Sequence, residues 1–420
     1  MGTLVYRKFN YLAWTIFFIF VHMTASLPGI TIPGIGSLYP LRLCLPFMVV
    51  FVLANERSYG KYRMQFLDLC IMFAIMLVYA LFSLLWAYDV VVGIKQLTNL
   101  LFCFMLAIVV MRNIRSRRDF ENMIVINMYI LFAVMFLGIV ESILDVHLFA
   151  PEWNKLYPNY PLKLAYPVVF YGNPNDMIFV LFLFMPFIMA VTKNRYTVQN
   201  GGYKYGLFLR ILYVLLYIIL SYLASCRMGM LLIPVAVYVN ILLLKDKRPA
   251  MIVTTALLIG IVALLAIDAQ NVLAIANKAM GPRLIIWANI LKNAKYYYFM
   301  GTGIGNCYFP IEGIEYIENY ISNPHNFFLE IFAEYGIIVF IMFMIWFINV
   351  IRSNCKTYKN CNDVRLKRIK KASLKFFLYF ILTCVMCSSI TALVQFWLVI
   401  AFILASIDLT ENDTGLMLKE

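Results

Sequence analysis

Charge is scarce in this chain. Asp, Glu, Lys and Arg make up 13% of its 420 residues, against 63% hydrophobic residues. A soluble globular chain is nearer about 25% charged and 45–50% apolar. A mean hydropathy of +0.83 over the whole length excludes a water-soluble enzyme, a disordered chain and a secreted disulfide scaffold. Several catalytic signatures are also missing: there is no P-loop, no serine nucleophile elbow, no HExxH and no zinc-type Cys/His spacing. There is no Asp-x-Asp for a metal-bound nucleotide sugar, and the segment 28–40 has no acidic residue. The nine cysteines offer little chemistry. Cys226 and Cys307 fall in loops where a disulfide is feasible, whereas Cys384-Val-Met-Cys387 lies in an apolar run without a second ligand pair and reads as buried structural cysteine.

What is present is apolar sequence in membrane-length pieces. A span of roughly 20 apolar residues crosses a bilayer core of about 30 Å. Breaking the chain at Gly, Pro and charge clusters gives twelve spans, near 10–27, 40–55, 66–87, 91–111, 122–143, 176–192, 206–223, 228–244, 250–267, 327–351, 375–391 and 393–408. The expected fold is an all-α polytopic membrane protein of about 12 transmembrane helices. Helices 1–9 occupy 1–267, a large extracytoplasmic loop 268–326, helices 10–12 residues 327–408, and a cytoplasmic tail 409–420. Although Met23–Ser26 offers small residues beyond the first apolar run, that run reads as an uncleaved helix rather than a signal peptide.

The net charge of +14 is a topology signal. Basic residues cluster at Arg7/Lys8 and in 57–63, 112–118, 193–210, 245–248 and 352–375. These clusters alternate with basic-poor loops, as the positive-inside rule requires when both chain ends are cytoplasmic. Nucleic-acid binding is not implied. The long loop carries Asp268, Glu312, Glu315 and Glu318 alongside Lys278, Arg283, Lys292 and Lys295. Within it Gly281-Pro282 opens an amphipathic helix with Leu284, Trp287, Ala288 and Leu291 at i, i+3, i+4 and i+7. That pattern suits a helix at the membrane surface, with Trp287 at headgroup level. Gly301-Thr-Gly-Ile-Gly305 reads as a flexible turn.

The three histidines, His22, His147 and His325, all fall toward the outer side. His325 stands in Asn323-Pro324-His325-Asn326, where the long loop enters the tenth span, with Glu330 and Glu334 following four residues apart. Carboxylates at membrane depth are costly and mark functional cavities. The same residues also fit a structural reading, with Asn326 as helix cap and the glutamates favoured by the helix dipole. Arg227, in a tight turn, and Arg283, opening the amphipathic helix, suit either lipid headgroups or a phosphate group. Two arginines, a histidine and carboxylates on one face favour anion handling. Without a metal motif, a diphosphate leaving group would be stabilised by arginine.

The run Gly281-Pro-Arg283…Trp287…Gly301-Thr-Gly-Ile-Gly305…Pro324-His325-Asn326-Phe-Phe-Leu-Glu330-Ile-Phe-Ala-Glu334-Tyr-Gly336 resembles the signature region of the bacterial O-antigen ligase/polymerase family. That family comprises the Wzy-type polymerases, WaaL-type ligases and teichuronic-acid polymerase-like proteins. Gly172-Asn-Pro-Asn-Asp176 and Ser225-Cys-Arg227 share in the likeness, although Ala224 and Cys226 hold positions where the family usually has hydroxyl residues. The resemblance implies a GT-C-like, metal-independent, inverting glycosyltransferase without cofactor in the bacterial cytoplasmic membrane, active on its outer side. It implies an undecaprenyl-diphosphate-linked glycan donor, a glycan or lipid-linked acceptor, and a chain-length regulator as partner. His325 would take the acceptor proton, Arg227 and Arg283 would bind the diphosphate, and Glu330 would orient His325 or hold acceptor hydroxyls. Asn326 and Glu334 would support them as helix cap and neighbouring carboxylate. A polysaccharide polymerase is the leading reading. A ligase to lipid A core is its nearest rival, and a lipid-linked-oligosaccharide flippase or transporter is a third. Against the transporter, only Lys95, Asp68 and Glu141 are candidates for midplane charge.

Overall fold

The computed structural model describes residues 10–23, 30–32, 36–38, 40–54, 64–147, 149, 166–197, 202–242, 283–292, 294–307, 324–387 and 389–413. Span 250–267, Gly281-Pro282 and the acidic residues Asp268, Glu312, Glu315 and Glu318 lie outside the described residues. The helices are α1 (Tyr11–His22), α2 (Pro40–Ala54), α3 (Met64–Ser83), α4 (Val90–Asn113), α5 (Arg117–Leu144), α6 (Pro174–Arg195), α7 (Tyr203–Leu223) and α8 (Arg227–Leu242). They continue with α9 (283–292), α10 (Phe327–Lys359), α11 (Val364–Thr383) and α12 (Val394–Asp408). One small hairpin joins β1 (Ile30–Ile32) to β2 (Gly36–Leu38), antiparallel, with Thr31 opposite Ser37.

Among the described residues, six helices (α3, α4, α5, α6, α7 and α10) are each long and apolar enough to cross a membrane, and four shorter apolar helices accompany them. The chain is a multi-pass membrane protein. Its interior is built on α6 and α12. In α12 every residue from Val394 to Ile407 is buried, and the bundle packs α12 on α4, α6 on α7 and α11, and α10 on α3 and α11. Phe327, the first residue of α10, is fully buried and meets Phe380 edge-on at 5.2 Å and Phe396 at 5.0 Å. The turn just before it is thereby fastened to the core. The first helix is a packed member of the bundle, with Phe18, Val21 and His22 fully buried.

Segments of the basic clusters at 112–118, 193–210 and 352–375 meet at one end of the bundle. At the basic end, Arg117 pairs with Asp363 at 2.8 Å and Asn194 donates to Glu121 at 2.9 Å. There too Lys370 donates to the carbonyls of Ser406, Ile407 and Leu409, which α12 leaves unpaired as it ends. At the opposite end, loop 83–89 is bonded to residues 301–306, and the start of α10 is bonded to Cys384.

Two expectations need correction. The eleventh helix does not run over 375–391. It starts at Val364 and is C-capped at Cys384, and residues 389–393 are not helical. The apolar run continues past the helix end because this connection is buried in protein, where irregular backbone is tolerated. Nor is Gly301–Gly305 a flexible turn, since residues 301–306 are buried. Thr302 N–H donates to the Ala333 carbonyl at 2.7 Å, and Ile337 N–H donates to the Phe299 carbonyl at 2.9 Å. Trp86 Nε1–H reaches the Gly301 carbonyl at 3.0 Å and the Ile304 N–H reaches Ser83 Oγ at 3.1 Å. The first two of these bonds satisfy the groups that α10 frees where it breaks at Gly336, with φ 71° and ψ −178°, a conformation essentially confined to glycine; the other two tie the segment to the end of α3 and the turn after it.

A Cβ at Gly336 would stand 2.4 Å from the Met300 carbonyl carbon, and one at Gly301 would stand 2.6 Å from the Gly336 nitrogen. Gly336→Ala is therefore expected to destabilise the protein by about 3 kcal/mol or more, because backbone strain of about 1–3 kcal/mol adds to the clash. Gly172→Ala, with nothing within 4 Å of its Cβ, should be nearly neutral. Thermal denaturation of the detergent-purified variants measures both, and an unchanged melting temperature for Gly336→Ala would refute the clamp.

Candidate active site

The site is assembled on the irregular segment between α11 and α12. Phe327 N–H donates to the Cys384 carbonyl at 2.9 Å, and Arg283 Nη1 donates to the Val385 carbonyl at 2.9 Å. The Cys387 carbonyl faces the His325 imidazole. Contacts from the start of α9 and from the 325–327 turn thus converge on residues 384–387. A fourth contact closes the group: Trp287 Nε1–H donates to the Pro324 carbonyl at 2.7 Å. Trp287, expected at headgroup level, is half-buried and ties α9 to the histidine turn. The outward face of α9 carries Leu284, Ile285, Ala288 and Leu291, all exposed, while Ile290 is buried.

His325 has φ 47°, a left-handed conformation uncommon for histidine. It is held there by Asn326, whose side chain caps α10 by accepting from Phe328 N–H at 3.1 Å and Leu329 N–H at 3.3 Å. Among the described residues, His325 Nδ1 is buried and takes no hydrogen bond. Burial, with the Arg283 charge adding to it, lowers the His325 pKa from 6.5 to about 4, opposed by the Cys387 carbonyl. The imidazole is therefore neutral at pH 7, with a ring nitrogen open to a proton. Arg283 gives one N–H to the Val385 carbonyl and makes no other hydrogen bond among the described residues, and guanidinium carries five donors.

The other two histidines have different surroundings. His22 is buried between Tyr171 Oη and Asn127 Oδ1, 3.0 Å from each. His147 Nδ1 lies 3.9 Å from Glu141 Oε2. Glu141 in turn accepts from the Val168 and Val169 N–H groups at 3.1 and 2.9 Å, so it organises a loop rather than standing as a midplane charge.

Glu330 is buried and committed. Its Oε1 accepts from the Ser389 hydroxyl and from Thr391 Oγ1 at 2.5 Å, and its Oε2 faces Ile390 N–H at 3.2 Å and Thr391 N–H at 3.5 Å. It makes no hydrogen bond to His325 among the described residues. The carboxylate one turn on, Glu334, faces the Gly305 N–H and the Cys307 thiol, and its Oε2 is buried without a partner among the described residues. Arg227 is exposed at the start of α8 and makes no hydrogen bond or ion pair among the described residues. Its neighbour Cys226 is buried beside the Arg283 charge. All nine cysteines are free, with Cys384 and Cys387 buried, and burial pushes the Cys387 thiol well up. Sequence reasoning left Asp176 out of the site, although it stands in the first turn of α6 with the Cys387 thiol facing its carboxyl group. Its signal was the Gly172-Asn-Pro-Asn-Asp176 run.

Residues 211–344 match the family model described as Wzy_C, O-antigen ligase. That span holds Arg227, Arg283, His325, Asn326, Glu330 and Glu334. The chain is also 26% identical over 408 aligned positions to the teichuronic acid biosynthesis protein TuaE of Bacillus subtilis (strain 168), covering 90% of this chain and 80% of the relative. Both matches support the O-antigen ligase/polymerase family. No solved structure matches the chain. An O-antigen ligase/polymerase-type membrane enzyme agrees with the resemblance carried by the motifs, and the likeness to the relative extends well beyond the helices around His325.

Glu330→Gln should cost about 1–3 kcal/mol of stability, because an amide cannot accept from all four donors of the 389–391 segment. Denaturation of the purified variant, followed by tryptophan fluorescence, tests this. A fully stable but inactive variant would show that Glu330 acts in chemistry and not as an anchor.

Proposed function

We propose that the protein is a polysaccharide polymerase of the extracytoplasmic face of the bacterial cytoplasmic membrane, transferring glycan from an undecaprenyl-diphosphate-linked donor. The observation that carries this reading is the joint attachment of Arg283 and His325 to residues 384–387. A fixed cation and a neutral base are held side by side in a largely dry setting. His325 Nδ1 takes the proton of an acceptor sugar hydroxyl as that oxygen attacks the anomeric carbon with inversion. The bond from that carbon to the diphosphate oxygen breaks, its electron pair stays on the phosphate, and Arg283 stabilises the charge. Arg227, exposed nearby in sequence to Cys226, is the second arginine available to the diphosphate. No metal ion is needed in this scheme.

The donor also tunes the base. A diphosphate against Arg283 cancels the positive charge that helps hold the His325 pKa low, so binding raises the basicity of the imidazole when it is required. A second reading, ligation of finished polymer to an acceptor, is favoured by the description of the matched family model. The relative's part in teichuronic acid biosynthesis supports polymer formation instead.

Two outcomes are expected. The acid limb of kcat/KM, which reports the free enzyme, should lie near pH 4, because protonation of His325 below that value removes the base; the limb of kcat should lie higher only by the part of the shift that the Arg283 charge contributes, since burial persists in the complex. Identical limbs, or full activity of His325→Ala, would refute this role, and Arg283→Lys should fall about 10²–10³-fold through loss of the planar fork. A deletion strain should accumulate single lipid-linked repeat units, whereas long polymer on the lipid carrier would favour the ligase.

A further inference from the structure

We infer that Asp176 is a further substrate-contact residue, whose carboxylate accepts a hydrogen bond from a hydroxyl of the acceptor sugar beside His325. The inference rests on the transferase reading above and adds a residue that lies outside the matched family region.

The local sequence places this carboxylate. Asn173 caps α6, its side chain accepting from Asn175 N–H at 2.8 Å, with Pro174 in the first turn. Asp176 follows in the same turn, where the helix dipole favours an anion. Position by itself would leave it a helix-end residue. Its surroundings add two independent facts.

The first is contact with the segment that holds the reactive groups. Cys387 turns its thiol toward Asp176 and its carbonyl toward His325, so one residue separates the two. The Cys387 sulfur also lies 4.0 Å from the Asn175 carbonyl oxygen, which fastens the start of α6 to this segment. The second is an unused acceptor. Asp176 Oδ1 is buried and takes no hydrogen bond among the described residues, and the residue makes no ion pair among them. As a whole the residue is half-buried.

Glu330 shows what a fully satisfied carboxylate looks like in this neighbourhood. It sits close enough to Asp176 to interact electrostatically, and its two oxygens meet four donors from residues 389–391. Asp176 has no such set. A carboxylate accepts hydroxyl hydrogen bonds strongly because the acceptor is ionised, and a sugar hydroxyl is a donor of the right kind. Holding one hydroxyl at Asp176 while His325 takes the proton of another fixes the attacking oxygen toward the donor's anomeric carbon. The residue thus belongs to acceptor recognition, apart from the diphosphate held by Arg283.

The test uses full-length protein in nanodiscs, with lipid-linked repeat units from the deletion strain as saturating donor. The free repeat-unit oligosaccharide, released by mild acid, is the varied acceptor. Asp176→Asn should lower kcat/KM for the acceptor by about 10- to 100-fold while leaving the affinity for undecaprenyl diphosphate within twofold. Asp176→Glu, which keeps the charge, should recover part of the loss. An unchanged acceptor kcat/KM in Asp176→Asn would overturn the inference, as would loss of undecaprenyl diphosphate binding. Failure of both variants to accumulate in the membrane would assign Asp176 to folding and overturn it too. Undiminished undecaprenyl diphosphate binding by Arg283→Ala would instead count against the underlying transferase reading, and the acceptor measurement on Asp176→Asn separates the two failures.

Discussion

A backbone polar group left without a partner in an apolar interior costs several kcal/mol, and the end of the bundle that holds the candidate site is shaped by that cost. The chain leaves helical geometry at 384–393 and at Gly336, and both breaks free carbonyls and N–H groups inside the bundle. At the first break, Arg283, Phe327 and Glu330 supply partners. At the second, the 299–302 backbone does so. The geometry of the candidate site follows from this satisfaction: the arginine that meets a stranded carbonyl is also a cation beside the histidine. Mutating a partner therefore disturbs architecture and chemistry together, unless the substitution preserves one of them.

Electrostatics then differentiates residues of the same type. Glu330 is saturated by hydroxyl and amide donors, whereas Asp176 retains an oxygen without a partner. His22 is locked between a tyrosine and an asparagine, and His147 stands beside a carboxylate. His325 alone lies beside Arg283, and its ring is kept neutral by burial and by that charge. Chemical role is set here by what each group has left over after packing. The glycine-rich segment 301–305 makes the same point for the backbone. Its positive φ values allow the close approach to α10 that positions Glu330 and Glu334 one and two turns beyond the histidine.

Much of this was legible in residues alone. Hydropathy over windows of membrane length located the helices from Tyr11 to Leu242. Asn326 as a cap, and the convergence of Arg283 with His325, followed from local motif and from resemblance. The extent of the eleventh helix did not. Its amphipathic, lysine-rich first half lowers hydropathy, and the buried irregular segment after it keeps hydropathy high, so an apolar window slides past the true helix end.

What the sequence by itself determined is the class of molecule, the order of its helices and the inventory of titratable groups on each loop, because these depend on composition and short-range periodicity. The tertiary structure alone decided which of those groups are consumed and which remain. Glu330 is met by Ser389 and Thr391, and Asp176 is brought to Cys387, from positions far away along the chain. Hydrogen-bond satisfaction is a property of neighbours in space, and helix periodicity carries no record of which distant loop those neighbours come from.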